Sequence, residues 1–275
     1  MSLRFTKMHG LGNDFVILDG RHQKIPLNET FVRRLSERRL GIGCDQLIVL
    51  SEPSTPEATV RMQIFNADGG EVGVCGNASR CVSWLLAREG YPDPVLETIP
   101  GLLKTKAVEN NQIQVDMGVA TTDWEKIPLR EPLTPKALTT TFETVIDPVA
   151  VNIGNPHIIF FVKDLKKVDI QRLGVSLSNH PLFPHGTNVE VAQVADFKTL
   201  AVKVWERGTG VTPACGSGAC ASVFAAHEQG LVDRRATVHL EGGQLSIEVC
   251  PDNHVLMTGP VQLTFEGMLE IPVGQ

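Results

Sequence analysis

Two stretches, CGNASRCVSWLLAREG at residues 75–90 and CGSGACASVFAAHEQG at residues 215–230, decide the fold because each resembles the other. Both open on Cys-Gly, continue into an apolar run typical of a helix, and reach a glycine fifteen residues after the first cysteine. Glycine in this place suits the left-handed conformation that closes many helices. The sequence therefore predicts one main helix in each half of the chain, opening at Cys75 and Cys215.

The similarity extends on both sides of these helices with an offset of about 140 residues, the pattern expected of an internal repeat. The matching landmarks are a Gly-Asn pair before an apolar run (15–18 and 158–162), a strand pattern (60–65 and 200–205), a polar residue nine positions before the cysteine (Asn66 and Glu206), and a strand pattern containing glycine (95–104 and 237–246). We therefore expect one α/β unit to be used twice.

Other segments complete the prediction of the fold. Helix patterns occupy residues 29–39 and 170–177, and residues 121–144, rich in Thr and Pro, look like an irregular crossing segment. A strand pattern at 261–265 leads into a tail that is expected to return to the first half. We expect two similar domains with a cleft between them, comprising residues 1–118 plus 264–275 and residues 119–263.

Composition excludes several classes of function. The chain has 275 residues, 25 Lys and Arg against 31 Asp and Glu, and a net charge of −6. This balance argues against a general grip on nucleic acid, and no apolar run approaches the roughly 18 residues that cross a membrane. The first ten residues lack the apolar core of a signal peptide. We therefore expect a cytoplasmic protein with neither a nucleic-acid nor a membrane partner.

The six cysteines are expected to be thiols, because a reducing compartment disfavours structural disulfides. A cysteine in the first turn of a helix lies near unpaired backbone N–H groups and the positive end of the helix dipole. Both effects are expected to lower the pKa of Cys75 and Cys215, and the same N–H groups could hold a carboxylate. The remaining four are expected to fill the interior: Cys44, Cys81, Cys220 and Cys250.

Two thiols in matching places of a duplicated fold suit one reaction type, the inversion of a carbon stereocentre. One thiolate removes the α-proton from one face, and the opposite thiol returns a proton from the other face. Helix N-termini would stabilise the developing negative charge. Cys75 and Cys215 are therefore predicted to be the acid and base.

Alternative uses of the cysteines fit less well. The C-x5-C and C-x4-C spacings differ from the usual C-x2-C of zinc knuckles, and a redox C-x-x-C motif does not occur. The chain also lacks a P-loop and a Rossmann fingerprint. We expect neither a metal nor a cofactor.

At this point the sequence is identified as resembling the diaminopimelate epimerase family over essentially the whole chain. The resemblance includes KMHGLGNDF (7–15), GIGCDQ (41–46), NADG (66–69), GNPH (154–157), GTNVE (186–190) and WERG (205–208), besides the two cysteine motifs. It implies two pseudo-symmetric domains, each a mixed or antiparallel β-barrel-like sheet around a central helix. It also implies a cofactor-independent enzyme that interconverts LL- and meso-2,6-diaminopimelate for lysine and peptidoglycan synthesis.

The resemblance also implies roles for particular residues. Cys75 and Cys215 match the acid and base of the family. The residues that match binders of the α-carboxylate are Gly76, Asn77, Gly216 and Ser217. Those that match binders of the distal amino and carboxyl groups are Asn13, Asn66, Asn155, Asn188 and Arg207. Glu206 would accept from an ammonium group, Gln46 would also bind substrate, and His157 would lie near the site.

The sequence departs from the family pattern in three places. Cys44 stands where an apolar residue is more common, Ala78 replaces a glycine of the first cysteine motif, and residues 211–213 replace a stretch that usually carries Glu. These changes concern loop flexibility and selectivity, since none removes a reacting group.

Three other functions stay open. A racemase for a single-headed amino acid, such as histidine or hydroxyproline, would not need Asn66, Asn188 and Arg207 together. An isomerase of the phenazine-biosynthesis type uses a carboxylate rather than two thiols. A non-catalytic amino-acid-binding protein would exchange no proton. The resemblance further implies a small amino-acid substrate and a homodimer.

Overall fold

Short apolar runs rich in Val, Ile and Phe form the strands, since β-branched and aromatic side chains pack well on a pleated sheet. The computed structural model describes residues 2–132 and 144–270, so residues 133–143 of the predicted crossing segment lie outside the described chain. The strands of these ranges are β1 (Ser2–Gly10), β2 (Asn13–Asp19), β3 (Gln46–Ser51), β4 (Val60–Asn66), β5 (Glu71–Val72), β6 (Val95–Thr98), β7 (Gly101–Val108), β8 (Gln112–Val119), β9 (Val149–Asn152), β10 (Pro156–Phe161), β11 (Asn188–Asp196), β12 (Thr199–Glu206), β13 (Gly210–Val211), β14 (Arg235–Leu240), β15 (Gly243–Val249), β16 (His254–Pro260) and β17 (Gln262–Glu270). The helices are α1 (Glu29–Ser36), α2 (Gly76–Arg88), α3 (Ile170–Leu177) and α4 (Gly216–Glu228), with a short 3-10 helix at Leu165–Lys167.

The first compact unit comprises residues 1–115 and 259–275. Its strands pair in the order β17-β1-β2-β3-β4-β6-β7, and β5 pairs with β4. The β2–β3 and β4–β6 pairs are parallel and the others are antiparallel. The C-terminal strand β17 lies beside β1, as the sequence predicts for the tail.

The second compact unit comprises residues 116–258. Its strands pair in the order β9-β10-β11-β12-β14-β15-β16, and β13 pairs with β12. The β10–β11 and β12–β14 pairs are parallel, in the places of the two parallel pairs of the first unit. The predicted internal repeat is therefore confirmed in the strand pairing, and each unit contains a mixed sheet.

The helices α2 and α4 each begin directly after a cysteine and contain thirteen residues, as the two quoted stretches predict. In the second unit α4 packs against β9, β10, β11, β12, β14 and β15, so the sheet wraps around the helix. Ten of its residues are buried, which accounts for its apolar character on all sides. In the first unit α2 packs against β1, β2 and β7.

The predicted helix over residues 29–39 is shorter in the structure, whereas the predicted helix over 170–177 is confirmed. Helix α1 ends at Ser36 because Glu37 adopts an extended backbone with ψ of 126°. The Glu37 carboxylate accepts hydrogen bonds from the backbone N–H groups of Arg39 and Leu40. This side-chain turn replaces the last predicted turn of helix.

In the residues that the structure describes, the helices are all too short or too polar to span a bilayer.

Candidate active site

In the first unit, Cys75 is the N-cap of α2, with extended backbone (φ −142°) and a half-buried side chain. The thiol lies 3.7 Å from Oδ1 of Asn13. The same Oδ1 accepts a hydrogen bond of 3.4 Å from Nδ2 of the buried Asn77. Three residues predicted to belong to the site, together with Gly76 at the helix start, therefore lie together.

The orientation of Asn13 is set by Asp45, which the sequence reasoning missed. Nδ2 of Asn13 donates to Oδ2 of Asp45 over 3.1 Å, so Oδ1 is left to face Cys75. Asp45 also accepts from the backbone N–H of Asp14, and Arg38 bridges both carboxylates at 2.7 Å. Both aspartates lie within motif stretches, Asp14 in residues 7–15 and Asp45 in residues 41–46, but these stretches do not show that the two side chains meet.

Asp14 carries a strongly perturbed carboxyl. Burial raises the pKa of Asp14, but hydrogen bonds from Arg38, Lys7 and Asp45 outweigh burial, and the net pKa lies well below its usual range. The ammonium of Lys7 lies 2.5 Å from the carboxylate. The carboxylate is therefore ionised, and it anchors the strand that carries Asn13.

Gln46 and Asn66 form a separate pair in the first unit. They are register partners on β3 and β4, and Nε2 of Gln46 donates to Oδ1 of Asn66 over 2.9 Å. Two residues that were predicted to bind substrate therefore lie together at the ends of neighbouring strands.

In the second unit, Cys215 is the N-cap of α4, again with extended backbone (φ −117°). Its sulfur accepts from the N–H of Gly218 over 3.4 Å and lies 3.4 Å from Oγ of Ser217. Ser217 also accepts from Nδ2 of Asn155 over 3.5 Å. The predicted residues Asn155, Gly216 and Ser217 are thus gathered at this cysteine.

The prediction that the helix end lowers the pKa of Cys215 is wrong. Burial raises the pKa of this thiol, and the nearby carboxyls of Glu206 and Glu190 raise it further. The hydrogen bonds with Ser217 and the Gly218 N–H lower it, but less, and the net pKa lies well above the usual value. The sequence shows the helix end but not the burial of the thiol, which is a tertiary effect. Cys215 is therefore a thiol, not a thiolate, in this structure.

His157 joins the buried Glu190 to the half-buried Asn155. Its Nδ1 is 2.7 Å from Oε1 of Glu190, and its Nε2 is 3.0 Å from Oδ1 of Asn155. The side chains of His157 and Glu190 have no solvent exposure. Glu190 is the last residue of the GTNVE stretch (186–190), but the sequence did not predict that it belongs to the site.

Glu206 lies at the end of β12, where the β12–β13 hairpin brings Thr212 back to it. Thr212 Oγ1 donates to Oε1 of Glu206. Burial raises the pKa of Glu206, while hydrogen bonds with Thr212 and the Cys215 thiol lower it, and the net pKa is raised. Thr212 belongs to the stretch that departs from the family pattern, and its hydroxyl hydrogen-bonds to Glu206.

Asn188 and Arg207 are also adjacent. Oδ1 of Asn188 accepts from the backbone N–H of Arg207 over 2.9 Å, and Nδ2 donates to the carbonyl of Pro156 over 3.0 Å. The guanidinium of Arg207, on an exposed residue, donates to the carbonyl of His185 over 2.5 Å. Asn188 thus holds the backbone from which Arg207 projects.

Three of the other four cysteines lie in the interior, as predicted for packing residues. Cys44, Cys81 and Cys220 are buried, whereas Cys250 is half-buried. Burial raises the pKa of Cys81 to about 12. Cys44 packs in an apolar cluster with Val16 and Leu18, which explains how it replaces an apolar residue.

Comparison with known proteins gives a consistent result. The family model described as "Diaminopimelate epimerase" matches residues 5–122 and 149–264. A protein of that name from Rhodospirillum centenum is 46% identical over 270 residues, which cover 98% of this chain and 93% of the relative. A second, from Erythrobacter litoralis, is 45% identical over 271 residues, covering 98% of each chain.

One solved structure shows how far the fold is shared. A phenazine biosynthesis protein of the PhzF family from Enterococcus faecalis superposes with a TM-score of 0.72 at 17% identity, covering 98% of this chain and 100% of that one. At this identity the likeness concerns the fold alone. It confirms the predicted α/β class with two pseudo-symmetric halves.

Proposed function

Since the chain belongs to the diaminopimelate epimerase family and is therefore an isomerase, we propose that it interconverts LL- and meso-2,6-diaminopimelate with Cys75 and Cys215 as base and acid. The observation that carries this proposal is the matching place of the two thiols. Each is the N-cap of a thirteen-residue helix that begins on glycine, one in each repeat. A repeat unit that only packed would not require a reactive side chain at this position twice.

The proposed reaction needs two proton transfers. A thiolate removes the α-proton, the electron pair stays on the α-carbon, and the opposite thiol delivers its proton to the other face. After the reaction the first cysteine is a thiol and the second is a thiolate. The reverse reaction restores the starting protonation state of both. Because Cys215 rests as a thiol, we assign it the proton donor for the first turnover and Cys75 the base.

The substrate α-carboxylate is proposed to bind at the two helix N-termini. The first intrahelical acceptors are the carbonyls of Cys75 and Cys215, which accept from Ser79 and Ala219 at 2.9 and 3.0 Å. The backbone N–H groups of residues before Ser79 and Ala219 point out of the start of each helix and can bind an anion. They belong to Gly76, Asn77, Gly216 and Ser217.

The second amino-acid end is proposed to select diaminopimelate over single-headed amino acids. Arg207 is suited to a bidentate grip on its carboxylate, and Glu206 to its ammonium group. The remaining polar groups proposed to complete this recognition are Asn13, Gln46, Asn66, Asn155 and Asn188, with His157 acting from behind Asn155.

The test is incubation with LL-diaminopimelate in D2O, followed by chiral separation and mass spectrometry. We expect meso product that carries deuterium at the inverted carbon, while substrate recovered early keeps its protium. Deuterium in neither compound would indicate a binding protein, and turnover of hydroxyproline or histidine alone would indicate a racemase of single-headed amino acids.

The two thiols are tested by replacement. Cys75→Ala and Cys215→Ala should each lose turnover by at least about 10³-fold, since each removes one proton-transfer group. Cys250→Ala, which removes a half-buried thiol elsewhere, should retain full turnover. Full activity in either of the first two variants would refute the assignment.

We also propose a homodimer in the cytoplasm that works without a metal or cofactor. We further propose residues 1–118 with 264–275 and residues 119–263 as the two functional halves. The resemblance supports the dimer and the absence of a cofactor. Light scattering of the purified protein tests the dimer, cell fractionation tests the location, and unchanged turnover after dialysis against EDTA tests metal independence. The compact units of residues 1–115 with 259–275 and of residues 116–258 support these halves to within five residues at each boundary.

A further inference from the structure

Behind Cys215 lies a row of polar side chains, two buried and two partly buried, that the two-thiol reaction does not itself require. It runs from Glu190 through His157 and Asn155 to Ser217, with contacts of 2.7, 3.0 and 3.5 Å. Ser217 Oγ then lies 3.4 Å from the Cys215 sulfur. A displacement of Glu190 would therefore be transmitted to the thiol through three side chains.

The first repeat builds the same positions from apolar residues. Strands β2 and β3 pair in parallel through Phe15↔Gln46, and β10 and β11 pair in parallel through His157↔Asn188. This common register makes Phe15 the counterpart of His157. Phe15 lies in the apolar cluster of its unit.

The same register extends to the acid and to the helix that faces it. Ile48 lies two residues after Gln46, and Glu190 lies two residues after Asn188, so Ile48 is the counterpart of Glu190. Counting from each N-cap cysteine, Ala78 is the counterpart of Gly218. Ile48 and Ala78 lie in the same apolar cluster as Phe15.

The repeat therefore folds with an apolar trio where the second unit has His157, Glu190 and Gly218. Replacing both partners of a buried hydrogen bond by apolar groups of similar shape can be nearly neutral or stabilising. The apolar trio of the first unit shows that this type of fold can be built without a His–Glu pair at these positions. Because apolar side chains can fill these positions, the presence of His157 and Glu190 points to a role in the chemistry of Cys215.

The hydrogen bonds also fix how many protons His157 and Glu190 carry together. Oδ1 of Asn155 can only accept, so Nε2 of His157 carries a proton. The contact between Nδ1 and Oε1 of Glu190 then holds one further proton, on one atom or the other. In either arrangement the pair has no net charge.

The proton is better placed on Glu190. Its second oxygen, Oε2, is buried without a hydrogen-bond partner among the residues that the structure describes, a costly setting for an ionised carboxylate. Burial raises the pKa of Glu190, against the lowering effect of His157, and the nearby Glu206 raises it further. A neutral carboxylic acid donating to Nδ1 satisfies these conditions.

We propose that Glu190 is a positioning residue that keeps His157 in the form that donates from Nε2 to Asn155. Through Asn155 and Ser217 it fixes the place of the Cys215 thiol. This inference rests on the proposed function only in that Cys215 moves a proton. The state of the imidazole can be measured without turnover.

The first test is nitrogen NMR of the resting protein labelled with 15N-histidine. The His157 signals are identified by their loss in His157→Gln. We expect a protonated Nε2 and an Nδ1 that accepts a hydrogen bond. A neutral ring with the proton on Nδ1 and none on Nε2 would overturn the proposal.

The second test compares two replacements of Glu190. In Glu190→Gln the amide N–H can still donate to Nδ1, so kcat should stay within about threefold of wild type. In Glu190→Leu the donor is lost and His157 can rotate or change tautomer, so kcat should fall about 30- to 100-fold with KM changed less. Failure of the amide to rescue, in a folded variant, would overturn the proposal, as would wild-type kcat in the leucine variant.

The matched control is the pair of Asp116 and His254, which lies elsewhere in the second unit with Nδ1–Oδ contacts of 2.9 and 3.0 Å. Asp116→Asn and Asp116→Leu make the same changes beside an imidazole and should leave kcat unchanged. If Glu190→Leu does not fold, the glutamine variant and the nitrogen spectrum decide. If the wild-type protein itself does not deuterate diaminopimelate, the proposed function fails, while the spectrum still tests the Glu190–His157 arrangement.

Discussion

Replacing Gly218 by alanine is expected to lower both stability and turnover, although alanine is the better helix former. A Cβ at this position would lie 2.7 Å from Oε1 of Glu190 and 3.4 Å from Cβ and Sγ of Cys215. Ordinary contact begins at 3.4 Å, so the Glu190 carboxyl or the first turn of α4 must move by about 0.7 Å. Glu190 is fully buried and tied to His157, so it cannot swing aside freely.

The magnitude follows from two opposing effects. Alanine in place of glycine inside a helix gains about 1 kcal/mol, whereas overpacking a core costs about 1–3 kcal/mol. Because Glu190 is pinned, we expect an overpacking cost in the upper half of this range, about 2–3 kcal/mol, so the net loss is about 1–2 kcal/mol, seen as a melting temperature lower by about 2–8 °C. Because the displaced groups are those that position the Cys215 thiol, kcat should fall at least about 10-fold.

The assay combines thermal unfolding with kcat in the diaminopimelate reaction. The matched control is Ala78→Gly at the counterpart position of α2, where a buried methyl packs among apolar side chains. That change should lower the free energy of unfolding by about 1–2 kcal/mol through lost helix propensity and packing. It should leave kcat unchanged. A Gly218→Ala protein with wild-type kcat and an unchanged or higher melting temperature would refute the reasoning.

Three shorter predictions concern binding, reactivity and pH. Arg207→Lys should raise KM about 10- to 100-fold with a smaller change in kcat, because lysine cannot grip a carboxylate through two parallel bonds; an unchanged KM in steady-state kinetics would place the second substrate carboxylate elsewhere. Iodoacetamide should label Cys75 faster than Cys215, since Cys75 is half-buried while Cys215 is 5% exposed and its pKa is raised; equal labelling in peptide mass spectra would contradict this. The lowered pKa of Asp14 stabilises the folded state above the unfolded-state value of about 3.9. This contribution is lost as the pH falls towards the lowered folded-state pKa, so the free energy of unfolding of Asp14→Asn should depend less on pH below about 4, and an identical slope in acid titrations of both proteins would disprove the link.

The sequence predicts the features that local pattern and repetition control. Equal spacing of Cys-Gly and a closing glycine locates α2 and α4, and the period of about 140 residues locates their strands. The end of α1 was missed because it depends on the Glu37 side chain folding back onto the next two N–H groups.

The features that the sequence could not supply depend on contacts between distant segments. The raised pKa of Cys215 comes from burial and from carboxyls on β11 and β12, which outweigh the helix end. The role of Glu190 was hidden because a Val-Glu-Val stretch in a strand shows neither its burial nor its imidazole partner. Asp45 was missed for the same reason, since its contact with Asn13 joins residues 32 positions apart in the chain.

The pairing of β17 with β1 has a consequence for the order in which the chain can fold during synthesis. Residues 2–10 pair with residues 262–270, so this contact spans nearly the whole sequence. Such a contact is slow to form and cannot exist until the last strand has left the ribosome. Residues 116–258 contain β9 to β15 and most of β16, so the second unit can fold earlier. The first unit to be started is thus the last to be finished, and until then β1 offers a free edge to which another nascent chain could add a strand.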